Sequence, residues 1–404
     1  MREILFLAHR IPYPPNRGDK IRSWNVLKHL GSLGRVHLGC FADNEEDADH
    51  LQALRREMGA ALGQAHVEIR RKGKFAAAVE ALHSGKPILG TMFDSEGMHG
   101  FVRRTLARTQ VGAVYAFSVQ MAQFVPIGCR QTFVMDFVDV DSAKFAEYAG
   151  SGVLRWVYRR EAGKLAEFER ATAARADYSL FVSEAEAQLF RAGFSSANIR
   201  SISNGIDLDH YDPAAAFPPQ AAAQRPLIVF TGQMDYRPNV EAVVRFADQT
   251  LPLILRDAPS ACFAIVGRNP TPAVVRLAER QGVIVTGSVP DVRTWLVAAD
   301  VVVAPLRIAR GIQNKVLEAM AMARPVVASA AAFQGIEAQA GKDLIVAETP
   351  AEEARAVLSL IADRPAAEAL GASARRCVET GYRWDVRLEP LAELLSARER
   401  RAAA

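Results

Sequence analysis

Lys315 and Glu318, three positions apart, are the side chains of this sequence best suited to bind a charged ligand. The residues after Lys315 favour a helix, and a spacing of three places both side chains on one helical face. Lys315 falls in the first turn, where backbone N–H groups and the positive end of the helix dipole attract anions. A lysine adds a point charge for a phosphate, and a carboxylate accepts hydrogen bonds from the two hydroxyls of a ribose. The pair therefore predicts a nucleotide site.

The segments around this helix fit a phosphate-binding arrangement. Residues 299–306 form an apolar run that is typical of a buried parallel strand. A loop with one glycine, Gly311, follows this run, and Pro325 helps to end the helix before the next apolar run. A strand, a glycine loop and a helix in this order direct backbone N–H groups at an anion.

The remaining sequence supplies elements that would position the site. Apolar runs alternate with longer segments of helical period, which predicts an α/β fold with doubly wound parallel sheets. In the first half, strands are predicted at 3–8, 35–41, 111–117, 132–138 and 178–182, with a weaker one at 66–70, and helices at 19–30, 45–60, 96–109 and 153–176. In the second half, strands are predicted at 227–231, 262–266, 283–286, 301–305, 326–328 and 344–346, with helices from 351 onwards.

The length of the chain, 404 residues, exceeds what one ordinary hydrophobic core accommodates and favours two domains. Asn204 and Gly205 favour a sharp turn, and the segment after them is rich in proline, alanine and glutamine, as expected of a linker. The predicted parts are a first domain at 1–207, a linker at 208–226, a second domain at 227–380 and a helical tail at 381–404.

Glycines follow or end three predicted strands of the second half: Gly232, Gly267 and Gly287. A glycine at a strand end lets the backbone approach a ligand closely. Three of them at one edge, together with residues 310–321, indicate a binding edge.

The loop after the first strand, residues 10–20, carries a second group of charges. Three prolines stiffen it, Gly18 permits close approach, and Asp19 is a candidate helix cap. A rigid turn with solvated charges is one interpretation, but ligands of open α/β sheets collect at the carboxyl ends of strands, which favours a binding loop. The basic residues expected to converge there are Arg10, Arg17, Lys20 and Arg22.

Three acids lie at or just after the strand predicted at 132–138: Asp136, Asp139 and Asp141. The period of two puts Asp136 on the face opposite Asp139, while Asp139 and Asp141 share a face. Asp141 could begin the next helix, but capping does not account for all three acids. Asp139 is a candidate acid/base or a ligand of a substrate hydroxyl. A metal site is less favoured, because neither a histidine nor a second acidic cluster accompanies them.

The composition limits the kinds of binding partner that we expect for this protein. The net charge of +4 is too small to favour nucleic acid, and it suits an anionic ligand or an acidic lipid surface. The four cysteines are scattered without metal-binding spacing, which indicates thiols in a reducing compartment. No leader-like or membrane-spanning apolar run occurs, so a cytoplasmic protein is expected. Residues 153–176 form a basic amphipathic segment that either lies on an anionic membrane or packs with a solvated charged face.

Several motifs resemble those of the GT-B glycosyltransferases of the glycogen-synthase-like family (glycosyltransferase family four), over nearly the whole chain. They are Pro14-Pro15-x-x-Gly18, Ile202-Ser203-Asn204-Gly205-Ile206-Asp207, Phe230-Thr231-Gly232, Thr286-Gly287-Ser288-Val289-Pro290-Asp291 and Lys315-x-x-Glu318-Ala319-Met320-Ala321-x-x-x-Pro325-Val326-Val327. Within this family, residues 139–142, 234–239 and 309–315 are similar to sugar transferases of exopolysaccharide clusters associated with exosortase/PEP-CTERM systems.

The resemblance implies two Rossmann-like domains facing across a cleft, with a nucleotide sugar held mainly by the second. It implies a hexosyltransferase that retains anomeric configuration, uses a nucleoside diphosphate sugar as donor, and needs neither a metal nor a cofactor. The implied acceptor is lipid-linked or an oligosaccharide in exopolysaccharide biosynthesis. Peripheral association with the inner face of the cytoplasmic membrane is a further expectation.

The resemblance also implies roles for individual residues. Glu318 would bind the ribose hydroxyls, while Lys315 and the backbone of Gly311 and Ile312 would face the diphosphate. Asp139 would orient the donor sugar or accept a proton late in the transfer. The other expected substrate contacts are the base-binding loop from Gly287 to Val289, Gly18 and Arg17 of the first domain, and Gly232 and Arg237 of the second.

The sequence departs from the family pattern at three positions. Arg310 stands where relatives keep an acid that contacts the donor sugar, so the identity of the sugar is open. Gln233 and Asn239 stand near positions where relatives have an arginine and a lysine. Arg310, Lys315 or Arg237 must then neutralise the leaving diphosphate, and an arginine can do so in a bidentate manner.

Two other functions fit parts of the pattern. A nucleotide-sugar epimerase of the same architecture would need a carboxylate and histidine set for elimination, and the motif at 202–207 argues against it. A non-catalytic nucleotide-sugar-binding component of a polysaccharide assembly is the second alternative, because two expected cations are replaced.

Overall fold

A computed structural model describes residues 2–149, 155–196, 198–218, 226–309 and 312–398 of the chain. These residues form two compact units, each built on a parallel sheet with helices packed against it. The first unit extends to Ser203 and includes the chain from Leu388 onwards, and the second unit is Asn204–Arg387. The predicted α/β class with two parallel-sheet domains is confirmed. The unit boundary lies four residues before the predicted domain end at 207, and the described residues 388–398 belong to the first unit.

The first unit contains a seven-stranded sheet in the order β3-β2-β1-β4-β5-β6-β7. Its strands are β1 (Arg2–Ala8), β2 (Gly34–Ala42), β3 (Leu62–Ile69), β4 (Val111–Phe117), β5 (Thr132–Val138), β6 (Tyr178–Phe181) and β7 (Ile199–Ser201). Its helices are α1 (Gly18–Leu33), α2 (Glu45–Met58), α3 (Lys74–Ser84), α4 (Ile88–Phe93), α5 (Glu96–Arg108), α6 (Asp141–Tyr148), α7 (Arg155–Arg175) and α8 (Glu184–Arg191), with 3₁₀ turns at Gly59–Ala61 and Val119–Phe124.

The second unit contains a six-stranded sheet in the order β10-β9-β8-β11-β12-β13. Its strands are β8 (Leu227–Thr231), β9 (Cys262–Val266), β10 (Val283–Gly287), β11 (Val301–Ala304), β12 (Val326–Ala328) and β13 (Ile345–Val346). Its helices are α9 (Arg237–Arg245), α10 (Leu251–Asp257), α11 (Pro272–Val275), α12 (Arg293–Ala298), α13 (Asn314–Ala321), α14 (Ala330–Phe333), α15 (Pro350–Ala362), α16 (Arg364–Gly381) and α17 (Trp384–Leu388), with a π turn at Phe246–Thr250 and a 3₁₀ turn at Arg276–Glu279. The last helix, α18 (Pro390–Leu395), returns to the first unit and packs beside β5.

The central strands are buried on both faces, which explains why they occur in the sequence as continuous apolar runs. Residues 4–8 of β1 and 227–230 of β8 have no exposed surface. All strands predicted in the second half are present, and the weak candidate at 66–70 lies largely within β3. The short elements β7, α4 and α8 were not predicted, because three to eight residues carry little periodicity.

Buried carboxylates hold the first unit together, and one of them corrects a prediction. Asp136 is fully buried on β5 and accepts hydrogen bonds from Arg22 of α1 at 3.1 Å and from the Tyr115 hydroxyl at 2.7 Å. Arg22 is itself 1% exposed, so it does not belong to the charged loop at the strand end. Arg22 therefore points into the unit rather than towards the binding loop. Lys20 forms an ion pair with Asp47 at 2.5 Å. Lys20 stays linked to Arg10 of that loop, because the Asp43 amide donates to Asp47 and Asp43 pairs with Arg10.

No helix of the described ranges is both long and apolar enough to cross a membrane. The four cysteines are unbridged, and two of them, Cys40 and Cys262, are buried. The described part of the segment predicted at 153–176 forms α7, and residues 153 and 154 lie outside the described residues. This helix packs through Glu161, Leu165 and Glu169, while Arg155 and Trp156 at its start are exposed.

We predict that Asp136→Asn destabilises the first unit by about 3–5 kcal/mol, because it leaves the buried Arg22 guanidinium without a countercharge. The measurement is urea unfolding followed by tryptophan fluorescence. Asp49→Asn, an exposed change on α2, is the matched control and should shift stability by less than about 0.5 kcal/mol. Equal losses in the two variants would contradict a structural role for the Asp136 pair.

Candidate functional site

Two glycines bring strand ends of the second unit into direct backbone contact. The Gly232 amide donates to the Val266 carbonyl at 3.0 Å, and a Cβ placed on Gly267 would lie 1.6 Å from the Gly232 carbonyl oxygen. No side chain fits at position 267, so the backbones at the carboxyl ends of β8 and β9 can lie in contact. Gly287, at the end of β10, has a φ of 66°, a left-handed conformation that favours glycine.

Helix α13 starts at this edge of the sheet and places the two predicted side chains. Val316, Leu317 and Met320 are buried on its inner side, which leaves Lys315 and Glu318 half-buried on the other face. Gln313, at the N-cap, makes no side-chain capping bond, so the first amides of the helix have no capping partner from that residue. The start of the helix therefore presents N–H groups together with an ammonium.

The Lys315 ammonium lies against the end of β8. Its Nζ donates to the Asn239 Oδ1 at 2.5 Å and sits 4.3 Å from the centre of the Phe230 ring. The Asn239 amide nitrogen donates to the Gln233 carbonyl at 2.9 Å, which fixes the side-chain oxygen towards the lysine. Burial lowers the pKa of Lys315 to about 7, and the charge of Glu318 offsets this only in part.

Glu318 is held by Tyr211, a residue that the sequence did not single out. The Tyr211 hydroxyl hydrogen-bonds to the Glu318 carboxyl, and burial raises the pKa of both groups. Arg375 of α16 joins the backbone of Tyr211 to the end of α13. It donates to the Tyr211 carbonyl at 2.6 Å and to the Ala321 carbonyl at 2.7 Å. Arg293 donates to the neighbouring His210 carbonyl at 2.6 Å. The segment after the Asn204-Gly205 turn is therefore docked beside the carboxylate.

The only sequence signal for Tyr211 was its place shortly after the predicted hinge, in a segment interpreted as linker. Asn204 of that turn also reaches α13, since its amide nitrogen donates to the Asn314 Oδ1 at 3.3 Å. A segment that contacts the start and the middle of α13 behaves as part of the second unit rather than as a free linker.

The structure places the other predicted residues of the second unit in different surroundings. Gly232 borders the Lys315 ammonium, which lies 3.3 Å from where a Cβ of residue 232 would be, and Ile312 is buried just before α13. Val289 packs partly against the core. Arg237 lies at the start of α9 with its side chain 84% exposed and donates to Glu241 at 2.7 Å, and no described contact joins it to Lys315. Arg310 and Gly311 lie outside the described residues, so their roles stay predictions.

A second polar cluster lies at the carboxyl edge of the first unit's sheet. Asp19 accepts from Arg10 at 2.7 Å and from Arg17 at 2.8 Å, and the His9 ring is 3.3 Å away. Burial alone would raise the pKa of Asp19, but the hydrogen bond from His9 and the three neighbouring charges lower it well below its usual range. Asp19 is occupied by these partners and lies inside α1, so its predicted role as helix cap is wrong. Gly18 is open, with nothing within 4 Å of a Cβ placed on it.

Asp139 and Asp141, which follow β5, share one cation as their common face predicts. Lys144 Nζ lies 2.6 Å from Asp139 and 3.4 Å from Asp141. Burial would lower the pKa of Lys144, but the two carboxylates raise it above its usual value. Asp141 begins α6, and burial raises its pKa. His9 is a further residue that the sequence did not select: it stacks on Phe117, and its buried Nδ1 has no partner among the described residues.

Within the described ranges, no three histidine, cysteine, aspartate or glutamate side chains are grouped so that they could hold a metal ion.

Comparison with known sequences connects the second unit to one enzyme family. Residues 225–363 match the family described as "Glycosyl transferases group 1". The chain is 29% identical over 248 residues to a GDP-mannose-dependent alpha-(1-6)-phosphatidylinositol monomannoside mannosyltransferase of Mycolicibacterium smegmatis, covering 55% of this chain and 63% of that protein. The corresponding protein of Mycobacterium tuberculosis is 29% identical over 240 residues. The alignment thus spans less than two thirds of these relatives.

Solved structures match over nearly the whole chain. Sucrose-phosphate synthase from Thermosynechococcus elongatus superimposes with a TM-score of 0.69 at 16% identity, covering 100% of both chains. Anabaena Alr3699/HepE in complex with UDP and glucose gives a TM-score of 0.67 at 15% identity, covering 98% of this chain and 100% of that one. At such identities the likeness concerns the fold. It is the GT-B fold of two Rossmann-like domains that the sequence predicted.

We predict that replacing Lys315 by methionine changes how stability depends on pH. The folded protein holds Lys315 at a pKa of about 7, whereas an ordinary lysine has a value of 10.5. Between these values the unfolded chain binds more protons than the folded one, so the contribution of Lys315 to stability rises with pH from about 7 to about 10.5. Lys315→Met removes this rise.

The test is the free energy of unfolding from urea titrations at pH 6, 8 and 10. The advantage of Lys315→Met over the wild type should be greatest at pH 6 and shrink towards pH 10. Lys342→Met, at an exposed position, is the matched control. A difference between Lys315→Met and wild type that is the same at all three pH values would show that burial does not perturb this ammonium.

Proposed function

We propose that the protein is a retaining, metal-independent glycosyltransferase that moves a hexosyl unit from a nucleoside diphosphate sugar to a lipid-linked or oligosaccharide acceptor. The arrangement of Lys315 and Glu318 at the start of α13 carries this proposal. One side chain offers a cation to a diphosphate, and the other, one turn further on, offers oxygen acceptors to a ribose. The distance of one helical turn, roughly 5 Å, suits the separation of a ribose from its phosphates.

The chemical demand of the transfer is stabilisation of the departing diphosphate. Lys315 and the amides at the start of α13 supply positive charge without a cofactor. Without a ligand, burial keeps the pKa of Lys315 near 7. A bound diphosphate would favour the charged ammonium, so nucleotide binding should take up a proton near neutral pH. Arg310 and Arg237 remain proposed as additional cations for the leaving group.

Asp139 is the proposed residue that orients the donor sugar or accepts the acceptor proton late in the step. Its Oδ2 lies 2.6 Å from the Lys144 ammonium, which fixes the position of the carboxylate after β5. Lys144 acts here as a positioning residue. The acceptor hydroxyl attacks from the face that the diphosphate leaves, which retains the anomeric configuration.

The names of the relatives guide the choice of donor and acceptor. The mycobacterial relatives are described as GDP-mannose-dependent and as phosphatidylinositol monomannoside mannosyltransferases, and the Anabaena structure contains UDP. We therefore propose a GDP- or UDP-sugar as donor and a glycolipid as acceptor, within exopolysaccharide biosynthesis and at the inner face of the cytoplasmic membrane.

A nucleotide screen followed by a transfer assay tests this function. We expect thermal stabilisation by GDP or UDP and their sugars, since a ligand that binds only the folded state raises its stability. Transfer of labelled hexose from the stabilising donor to a membrane-lipid extract should follow. Binding without transfer to any extract would favour a non-catalytic binding component. Epimerised or eliminated sugar nucleotide, formed without acceptor, would refute the transferase and favour an epimerase.

We predict that the Tyr211–Glu318 contact sets recognition of the ribose. Glu318→Gln should lower affinity for the diphosphate by at least about tenfold, because it removes the negative charge and replaces one acceptor oxygen by an NH₂ donor. Tyr211→Phe removes only the hydroxyl that orients Glu318 and should lower affinity by about threefold to tenfold. Both variants should lose the preference for the ribonucleotide over its 2′,3′-dideoxy form.

Calorimetry with the diphosphate and its dideoxy analogue measures this preference. The matched control for removal of a tyrosine hydroxyl is Tyr236→Phe, at an exposed position in the same unit. An unchanged ribose preference in Glu318→Gln would refute the placement of the site. An unchanged preference in Tyr211→Phe alone would assign the ribose to Glu318 without help from Tyr211.

A further inference from the structure

Helix α3 of the first unit turns its large apolar side chains away from the protein. Phe75, Val79 and Leu82 are 84%, 41% and 56% exposed, and their spacing of four and three puts them on one stripe. The opposite side of the helix carries Ala77 and Ala81, which are fully buried. The Ala77 carbonyl accepts from the Thr91 hydroxyl of α4 at 2.8 Å, so the alanine side faces the unit. The helix therefore packs against the unit through small side chains, and its large apolar side chains face outward.

The first turns of α7 lie near the end of α3 and carry another exposed aromatic side chain. Arg160 donates to the Ala81 carbonyl at 2.6 Å and to the Lys86 carbonyl, which fixes α7 against the end of α3. Trp156 lies one turn before Arg160, on the same helical face, and is 62% exposed. Phe75, Val79, Leu82 and Trp156 together are called the apolar stripe below. Exposed apolar side chains that adjoin one another mark an interaction surface more often than isolated ones do.

Exposed arginines lie next to these apolar side chains along the chain. Arg71 precedes α3, and Arg155 and Arg159 lie on the first turns of α7, all three exposed. The neighbouring acids are already paired: Glu80 with Lys72 at 2.8 Å and Asp94 with Lys86 at 3.2 Å. Aromatic and aliphatic side chains ringed by arginine are the composition of helices that lie in the headgroup region of anionic membranes.

We propose that the apolar stripe and its arginines dock the protein onto an anionic lipid bilayer. The side chains of the stripe enter the boundary between headgroups and acyl chains, while Arg71, Arg155 and Arg159 contact lipid phosphates. This deepens the proposed function, and it rests on that function only for the statement that the acceptor is lipid-linked. The docking itself rests on α3 and α7.

Helix α3 lies near the polar cluster at the carboxyl edge of the first unit's sheet. The helix follows β3, and the Arg70 amide between them donates to the Ala42 carbonyl at the end of β2. Arg70 pairs with Asp43 at 2.8 Å, and Asp43 pairs with Arg10 of the polar cluster at 3.0 Å. The apolar stripe thus begins close to the sheet edge where Arg10, Arg17 and Asp19 lie. Docking would bring that edge to the headgroups of a glycolipid acceptor.

A second copy of the chain is a poorer occupant of this surface. A two-fold symmetric contact through the stripe would set the arginines of one copy close to those of the other. Like charges across an interface oppose association, whereas acidic headgroups complement them. The charge pattern therefore favours the bilayer.

Vesicle co-sedimentation of the full chain tests the proposal. We expect binding to vesicles that contain phosphatidylglycerol, weaker binding to pure phosphatidylcholine, and loss of binding as sodium chloride is raised. The combined variant Phe75→Gln, Val79→Gln and Leu82→Gln keeps good helix formers and should weaken binding by at least about tenfold. Arg71→Gln, Arg155→Gln and Arg159→Gln together should abolish the preference for phosphatidylglycerol.

The control variant, Val275→Gln with Ile308→Gln, removes two exposed apolar side chains of the second unit and should bind as the wild type does. Equal vesicle binding by the stripe variant and the wild type would overturn the proposal, as would absence of wild-type binding to phosphatidylglycerol. A wild-type dimer that the stripe variant converts to monomer in light scattering would assign the surface to a second copy instead. Nucleotide binding is measured separately, so its failure would overturn the proposed function and leave the docking result standing.

Discussion

The candidate site of the second unit is built around one ammonium group that is withdrawn from water, that of Lys315. Lys315 is held between the Asn239 amide and the Phe230 ring at the end of β8, where burial brings its pKa down to about 7. Burying such a group is costly unless an anion completes its surroundings. Glu318 compensates the ammonium only in part, so an anionic ligand beside it would lower this cost. Gly232, at the end of β8, has no side chain, so the space beside the Lys315 ammonium is not filled from that position.

The carboxylates of the first unit serve a different purpose. Asp136 is buried with Arg22 and Tyr115, and Glu161 accepts from the Ile88 and Leu89 amides at the start of α4. Each of these acids satisfies groups that would otherwise lose hydrogen bonds on burial. Asp139 differs because it lies after the strand, half-buried, with a lysine that fixes it. Position at the carboxyl edge, rather than residue type, separates a candidate catalytic acid from a structural one.

The segment that follows the boundary between the two units also contacts the candidate site. Tyr211 reaches Glu318, and Arg375 and Arg293 hold the neighbouring backbone carbonyls. In the first unit, α3 departs from the usual amphipathic pattern, since its large apolar side chains face outward and its alanines face the core.

Local periodicity was enough to establish the α/β class, the six strands of the second half and the common face of Lys315 and Glu318. These features follow from repeats of two and 3.6 residues, which are properties of the chain before it packs. The partners of the charged groups depend instead on how the elements pack. Asn239 meets Lys315 across 76 residues and Asp136 meets Arg22 across 114, because strand order and helix crossing, not spacing, determine which side chains adjoin. For the same reason Lys20 and Arg22, adjacent to a binding loop in the sequence, lie in buried ion pairs in the fold, while Tyr211, in a segment that resembles a linker, lies against the ribose-binding candidate.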